Sequence, residues 1–146
     1  MGAGKSTVGR LLASRWGVTF LDLDAAIGDI PAIFAAEGEV GFRRRERAAL
    51  QAAVVSECVL ALGGGTLVDP ANRALLANWQ VVVLMGRAET LRGRIGRGEG
   101  RPLAHDLERL LDARAEAWRL AGPWVDTDGL DPVAVADHVE RVCGSP

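Results

Sequence analysis

The amino end of the sequence has the residue types and spacing of a phosphate-binding loop. GAGKST, at residues 2–7, matches the last part of the pattern G-x-x-x-x-G-K-[ST], with Gly4, Lys5 and Ser6 in its fixed positions. Glycines let successive backbone N–H groups converge on phosphate oxygens at a helix N-terminus, where the dipole favours negative charge. Lys5 can reach the β- and γ-phosphates, and the Ser6 hydroxyl can ligate Mg²⁺. A glycine-rich start of an ordinary helix is the alternative interpretation.

The loop is nevertheless incomplete at its amino side. The first glycine of the pattern would lie two residues before Met1, and the strand that normally delivers such a loop is missing from the sequence. A central parallel strand is hydrogen-bonded along both edges, so its loss leaves backbone groups unpaired in the core. We therefore expect that the natural chain begins upstream of Met1, and that this methionine is internal or marks an artificial boundary.

Two aspartates lie two residues apart in LDLD, at residues 21–24. The segment VTFLDLD is predicted to be a strand, and its two-residue period would put Asp22 and Asp24 on one face, pointing toward the phosphates. One carboxylate can hold Mg²⁺ through water, while the other accepts a proton from an alcohol or orients it. The alternative is that Asp24 only caps the next helix.

Arginines provide a candidate site for an anionic group. GFRRRER, at residues 41–47, carries four arginines that cannot share one helix face, so most of them are expected to be solvated. Arg43, beside Phe42, is the one that we place in a pocket. Arg101 and Arg114 flank a segment rich in glycine and arginine that is predicted to be a mobile loop. A guanidinium is suited to bidentate bonds with a carboxylate or a phosphoryl group.

A run of three glycines follows a predicted buried strand in SECVLALGGG. The backbone N–H groups of Gly63, Gly64 and Gly65 would lie at the edge of the sheet where ligands bind, because a side chain there would obstruct their approach. A plain turn is the alternative for this run of glycines.

The elements that must position these residues alternate between helix and strand. Periodicity and caps predict helices at 5–15, 31–37, 42–55, 69–78, from 89, 107–120 and 131–141, and strands near 18–24, 56–62, 80–85 and 124–127. This order predicts an α/β fold, a P-loop kinase three-layer sandwich with a central parallel sheet, helices on both faces and the first strand missing. Since no repeat or linker is visible, residues 1–146 are expected to form a single domain.

Composition argues against several classes of function. The net charge of −2 gives no general attraction to nucleic acid or anionic membranes, and the longest apolar run, VVVLM, is too short to span a bilayer. With no signal peptide pattern visible, a cytoplasmic location is expected. Cys58 and Cys143 are expected to be reduced thiols. Lys5 is the single lysine among seventeen basic residues, which indicates that chemistry requires a compact ammonium there.

In their order and approximate spacing, the motifs resemble the shikimate kinase family over essentially the whole chain. The matching segments are GAGKSTVGRLLA, FLDLD, IFAAEGEVGFR, VLALGGGTL and the RPL of residues 101–103, followed by Arg114 and the aromatic Trp118. The resemblance implies transfer of the γ-phosphoryl group from ATP to a hydroxyl of shikimate, with Mg²⁺ as cofactor, on the route to chorismate and the aromatic amino acids. We also expect a monomer, and the charge and hydropathy of the chain predict no nucleic-acid or membrane partner.

The resemblance implies an acceptor pocket within about residues 24–56, completed by the glycine run and Arg114. Two arginines would pair with the shikimate carboxylate, and Asp24 with the hydroxyl that is phosphorylated. The residues implied to hold, shape or line this pocket are Asp24, Phe34, Phe42, Arg43, Gly63, Gly64, Gly65 and Arg114.

The resemblance also implies a nucleotide side of the site, closed by a lid at about residues 97–106. Lys5 and Arg101, in that lid, would stabilise the transferring phosphoryl group, while Ser6 binds Mg²⁺ and Asp22 supports the ion through water. The residues implied to contact ATP are Gly2, Ala3, Gly4, Lys5, Ser6, Thr7, Arg94, Arg101 and Pro132. Of these, Arg94 and Pro132 would lie near the adenine.

Two other functions remain open at this point. A kinase of the same fold could act on another small hydroxy acid, such as gluconate. Paired arginines indicate that the acceptor carries a carboxylate, but they do not identify the molecule. A non-catalytic relative could bind the nucleotide or shikimate without turnover. Competition between acceptors separates the first from shikimate phosphorylation, and binding without ADP production would indicate the second.

Overall fold

The computed structural model of the chain describes residues 2–95 and 107–144. The predicted lid, including Arg101, lies outside the described residues. The described elements are α1 (Lys5–Trp16), β1 (Thr19–Asp22), α2 (Leu23–Ile27), α3 (Ile30–Ala53), β2 (Cys58–Ala61), a 3-10 turn (Thr66–Val68), α4 (Pro70–Leu75), β3 (Val83–Met85), α5 (Ala88–Ile95), α6 (Leu107–Ala121), β4 (Trp124–Asp126) and α7 (Pro132–Cys143). None of these helices is long and apolar enough to cross a membrane.

All described strand pairs are parallel, which confirms the predicted α/β class. β1 pairs with β2, with Thr19 opposite Cys58 and Asp22 opposite Ala61. β3 pairs with β4, with Val83 opposite Trp124. No ladder joins the two pairs within the described residues, so the strands form two two-stranded sheets.

Helices cover both sides of the strands. On one side, α1 and α7 pack against β4 through a cluster that includes Val8, Val125 and Val139. On the other side, α3 and α6 contribute Leu50 and Trp118 to a second cluster. The chain therefore has the three layers that the helix and strand order predicts.

Local signals account for most helix boundaries. Asp69 and Asp131 each accept a hydrogen bond from the backbone of their helix, at Ala71 and Ala134, directly before a proline. An aspartate cap followed by proline fits the first turn of a helix, where the missing proline N–H is not needed. The two predicted helices at 31–37 and 42–55 are merged into α3 across a kink at Gly38, whose φ is 66°.

The predicted strand at 18–24 extends two residues too far at its carboxyl end. β1 ends at Asp22, because the Asp22 side chain accepts a 3.2 Å hydrogen bond from the Asp24 N–H and starts α2. The prediction that both aspartates lie on one strand is therefore wrong. Asp22 is the residue that caps α2, and Asp24 lies in its first turn.

Candidate active site

The glycine loop ends where α1 begins, as the motif predicts. Gly4 precedes the helix with a φ of 80°, in the left-handed region that glycine adopts at little cost. Lys5 is the first residue of α1, and the Ser6 hydroxyl donates a 2.6 Å hydrogen bond to Asp22 Oδ2. The loop, a hydroxyl and a carboxylate thus lie together at the carboxyl end of β1.

The three glycines after β2 are surrounded by the side chains predicted to bind the acceptor. A methyl group on Gly63 would lie 2.8 Å from Asp24 Oδ1, and one on Gly64 would lie 2.9 Å from Arg114 Nη1. A methyl group on Gly65 would lie 2.8 Å from Arg43 Nη2. Side chains from α2, α3 and α6 therefore converge on this loop, and any side chain in place of a glycine would displace one of them.

Substitution of Gly64 tests this convergence. In Gly64→Ala the new methyl would push the Arg114 guanidinium away, so we expect KM for the acceptor to rise about tenfold, the loss of one modest polar contact. The KM for ATP is expected to stay nearly constant. Gly93→Ala is the matched control, since a methyl there meets nothing within 4 Å. Equal kinetics for the two variants would contradict the proposed contact.

Glu46 is the buried centre of a small polar network. Its side chain is only 1% exposed, and it accepts hydrogen bonds from Arg43 Nη1 at 2.7 Å and from Thr66 Oγ1 at 2.7 Å. Asn72 donates to the Thr66 carbonyl at 3.0 Å. Because a buried carboxylate needs such partners, the network holds Arg43 and the end of the glycine loop in fixed positions.

Glu46 and Thr66 are residues that sequence reasoning missed. Glu46 lies three residues after Arg43, a spacing at which helical side chains meet, and Thr66 directly follows the glycine run. Nothing in GFRRRER, however, indicates that its single glutamate is buried.

We expect Glu46→Ala to lower the free energy of unfolding by about 2 kcal/mol, because it removes a charged hydrogen-bond acceptor from a buried position. Glu39→Ala is the control, since Glu39 lies 3.5 Å from the same guanidinium but its side chain is 70% exposed. That exposed pair is expected to contribute less than about 0.5 kcal/mol. Urea unfolding measures both, and equal losses would rule out the buried network as the cause.

Burial, together with neighbouring charges, shifts the pKa values of Asp24 and Arg114. Burial raises the pKa of Asp24, Lys5 lowers it, and the carboxylates of Asp22 and Glu46 raise it, with a net rise. Burial lowers the pKa of Arg114, and the positive charge of Arg43 lowers it further. The carboxyl of Asp24 therefore ionises less readily than usual, and the positively charged Arg43 and Arg114 repel each other.

The raised pKa of Asp24 predicts a pH-dependent cost in stability. Between the ordinary and the raised pKa, the folded chain holds a proton that the unfolded chain has released, so stability falls as pH rises through that window. Asp24→Asn removes this cost. We expect the variant to be more stable than the unsubstituted chain at pH 7, with the difference shrinking as pH falls toward the ordinary pKa. Thermal unfolding across pH measures the difference, and a constant difference would contradict the assignment.

Two aromatic side chains lie beside the arginine. The rings of Phe34 and Phe42 are tilted by 30° with centroids 4.8 Å apart, and the Arg43 guanidinium lies 5.1 Å from the centroid of Phe42. Phe42 is buried, whereas Phe34 is 42% exposed. This pair forms an apolar wall next to Arg43, where the resemblance puts the acceptor.

Arg94 and Pro132, which the resemblance puts near the adenine, lie on α5 and α7. Arg94 donates hydrogen bonds to Thr127 Oγ1 at 2.7 Å and to the Thr127 carbonyl at 2.5 Å, which ties α5 to the end of β4. Pro132 is the first residue of α7. Among the other arginines of GFRRRER, Arg44 and Arg45 pair with Glu37, and Arg47 pairs with Asp69. These three arginines are exposed, and the two carboxylates are partly buried.

Several known proteins are similar to this chain. A shikimate kinase of Saccharopolyspora erythraea is 44% identical over 156 residues, covering 97% of this chain and 89% of the relative. A shikimate kinase of Thiobacillus denitrificans is 45% identical over 141 residues, covering 87% and 77%. Among solved structures, a shikimate kinase from Acinetobacter baumannii in complex with shikimate matches with a TM-score of 0.86 and 36% identity, over 97% of this chain and 86% of that chain.

A parallel-strand α/β fold with a GKS loop at the start of its first helix defines a P-loop nucleotide-binding protein. The sequence profile described as shikimate kinase matches residues 1–130, most of the chain. The chain belongs to the shikimate kinase family, and is a kinase. The family and the kinase activity predicted from the motifs are both confirmed.

Proposed function

We propose that this chain transfers the γ-phosphoryl group of ATP to a ring hydroxyl of shikimate. The observation that carries the proposal is the position of Asp24, between the side chains that would bind the acceptor and the loop that would bind ATP. Its carboxyl lies against the glycine run that also contacts Arg43 and Arg114, and it lies within the electrostatic influence of Lys5. A hydroxyl held by Asp24 is therefore close to the loop that would hold the triphosphate.

The two arginines explain why the acceptor is a carboxylic acid. Arg43 and Arg114 approach the same glycine run, and the positive charge of Arg43 adds to burial in lowering the pKa of Arg114. Glu46 compensates Arg43 directly, at 2.7 Å. A carboxylate between the guanidinium groups would relieve their repulsion through its negative charge and accept charge-assisted hydrogen bonds from them, whereas a neutral polyol offers only uncharged acceptors.

The residues near the loop fit a magnesium ion. Ser6 and Asp22 offer a hydroxyl and a carboxylate 2.6 Å apart, and Mg²⁺ is typically held by one or two protein oxygens together with water and phosphate. Ser6 would bind the ion directly and Asp22 through water. When bound, Mg²⁺ neutralises charge on the β- and γ-phosphates.

The chain's own groups would then carry out an in-line transfer. Asp24 orients the shikimate hydroxyl and takes its proton as the hydroxyl oxygen bonds to the γ-phosphorus. The bond from that phosphorus to the bridging oxygen breaks, and ADP leaves. Lys5 and the lid arginine Arg101 stabilise the charge on the transferring group. Most of the acceleration in such reactions comes from positioning and electrostatic stabilisation.

We also propose that the chain works in the cytoplasm as a monomer, without a nucleic-acid or membrane partner. Its net charge of −2 supports this, since polyanionic partners are attracted by basic proteins. The free thiols of Cys58 and Cys143 fit a reducing compartment.

The test is ADP release in the presence of shikimate, gluconate or shikimate methyl ester, with Lys5→Ala as the blank. We expect shikimate to be turned over with the highest kcat/KM, and the ester, which lacks the carboxylate charge, to lose about 2 kcal/mol of transition-state binding, or roughly 30-fold. Faster turnover of gluconate would reassign the acceptor. Binding of both substrates without any ADP release would reassign the chain to a binding function.

A further inference from the structure

Helix α3 is bent at Gly38, between the part that carries Phe34 and the part that carries Phe42. Gly38 has a φ of 66° and a ψ of −169°, outside the helical region, and a methyl group on it would meet nothing within 4 Å. Glycine adopts both this conformation and the helical one at little cost, so the backbone by itself does not hold the bend. Contacts between the two parts of α3 must hold it.

Three such contacts join residues that a straight helix would keep apart. Glu37 Oε2 accepts a 2.8 Å hydrogen bond from Arg44 Nη2, and Glu37 Oε1 accepts one of 3.0 Å from Arg45 Nε. The ring centroids of Phe34 and Phe42 lie 4.8 Å apart. These partners are seven or eight residues apart, which is about 10–12 Å along a straight helix, where contacts normally join residues three or four apart. The three contacts therefore belong to the bent form of α3.

Gly41 lets the Glu37 side chain reach both arginines. A methyl group on this buried glycine would lie 2.2 Å from Glu37 Cβ and 2.8 Å from Glu37 Oε2. The Glu37 carboxylate thus lies directly over the backbone of the second part of α3, where each of its oxygens accepts from a different guanidinium. Hydrogen bonding by Arg45 is the largest cause of a lowered pKa for Glu37, and Arg44 adds to it.

The bend determines where Phe34 lies. In the bent helix its ring packs on Phe42, and the Arg43 guanidinium lies 5.1 Å from the Phe42 centroid. Phe34 is 42% exposed, so the core does not enclose it and its position depends on the direction of the first part of α3. Straightening at Gly38 would carry Phe34 away and remove half of the apolar wall beside Arg43.

We propose that Glu37 is a positioning residue for the acceptor, because its two ion pairs hold α3 bent at Gly38 and thereby keep Phe34 beside Arg43. The Phe34 ring would cover the apolar part of a cyclic acceptor whose carboxylate is bound by Arg43. The role assigned to Glu37 rests on the proposed acceptor pocket, whereas the bend of α3 does not.

The first test measures the bend directly, without substrates. Nitroxide labels are attached to Ala35→Cys and Gln51→Cys, two exposed positions on either side of Gly38, after both native cysteines are replaced by alanine. A straight helix would separate these positions by about 24 Å along its axis, and a bent one brings them closer. We expect Glu37→Ala to add a population at longer distance in pulsed electron resonance. Salt at about 1 M should do the same when Glu37 is present, because it screens exposed ion pairs.

The second test is kinetic. Glu37→Ala is expected to raise KM for shikimate about threefold, because affinity falls with the fraction of chains in the competent form. Both kcat and the KM for ATP should stay nearly constant. Loss of a negative charge near Arg43 and Arg114 would by itself favour an anionic acceptor, so charge does not explain a raised KM. Glu57→Ala, which removes an exposed carboxylate just before β2, is the matched control.

A glycine substitution tests the bend from the backbone. Gly38→Ala should raise KM for shikimate about tenfold or more, because alanine disfavours a positive φ and favours a straight helix. Gly17→Ala is the matched control at the carboxyl end of α1. Gly17 has a φ of 69°, and a methyl group there also meets nothing within 4 Å. This control should leave KM for shikimate unchanged.

A double-mutant cycle shows whether Glu37 acts through Phe34. Phe34→Ala removes the ring that the bend would position. In that variant, Glu37→Ala should raise KM for shikimate no further, since its effect passes through the missing ring. Additive effects would mean that Glu37 acts through another group, and would overturn the proposal.

Two other results would also overturn it. An unchanged label distance in Glu37→Ala would mean that the ion pairs do not hold the bend. A longer distance with an unchanged KM for shikimate would mean that the bend does not position the acceptor. Absence of shikimate turnover in the unsubstituted chain would instead reject the proposed reaction, and the label distance would still decide whether Glu37 holds the bend.

Discussion

Asp24→Ala is expected to lower kcat by about 10²–10⁴, the range for loss of a positioned acid or base. The carboxyl lies against Gly63 and under the influence of Lys5, so its removal takes away the group that orients the hydroxyl and accepts its proton. The KM for ATP should change little, because the glycine loop is untouched. Steady-state ADP release at saturating shikimate measures the loss.

The controls for Asp24 separate chemistry from folding. Asp112→Ala removes an aspartate at an exposed position of α6, which is not among the side chains nearest to Gly63, Gly64 and Gly65, and should leave kcat unchanged. Asp24→Asn keeps the shape of the side chain, is expected to be folded and more stable at pH 7, and should lose kcat almost as fully as the alanine variant. If the Asp24 variants kept the full kcat and only raised the KM for shikimate, Asp24 would bind the substrate without taking part in the chemical step.

Lys5→Ala should lower kcat by about 10²–10³, the effect of removing one group that stabilises transition-state charge. Lys5 begins α1 at the point where the loop would present its N–H groups to the phosphates. Lys5→Arg is expected to recover little of this loss, because a planar guanidinium on a longer side chain does not replace a compact ammonium. Arg10→Ala is the matched control, a cation on the same helix whose guanidinium lies 4.6 Å from the Phe20 ring centroid.

Loss of Lys5 should also move the pH dependence of the residual activity. The ammonium lowers the pKa of Asp24, so its removal raises that pKa further. If Asp24 acts as a base, the acidic limb of kcat/KM shifts to higher pH in Lys5→Ala. An unshifted limb would show that Lys5 and Asp24 do not act on the same reacting group.

Local sequence patterns predicted most of the elements. Caps, prolines and apolar periodicity depend on residues within one or two turns, and they located α1, α4, α6 and α7 to within a few residues. The same patterns failed at 18–24, where an aspartate that could have continued the strand instead caps a helix. Strand and cap compete for the same backbone N–H groups, and a short-range pattern does not reveal which will win.

The sequence by itself determined the class of fold, the family and the loop that would bind phosphates, because these depend on residue order and on a contiguous motif. Only the tertiary structure decided which side chains surround Gly63, Gly64 and Gly65, and that Glu46 is the buried partner of Arg43. It also showed that, among the described residues, β1 pairs with β2 and β3 with β4. Such features depend on contacts between residues far apart in the chain, where charge, burial and strand pairing are set by the packing of several elements at once.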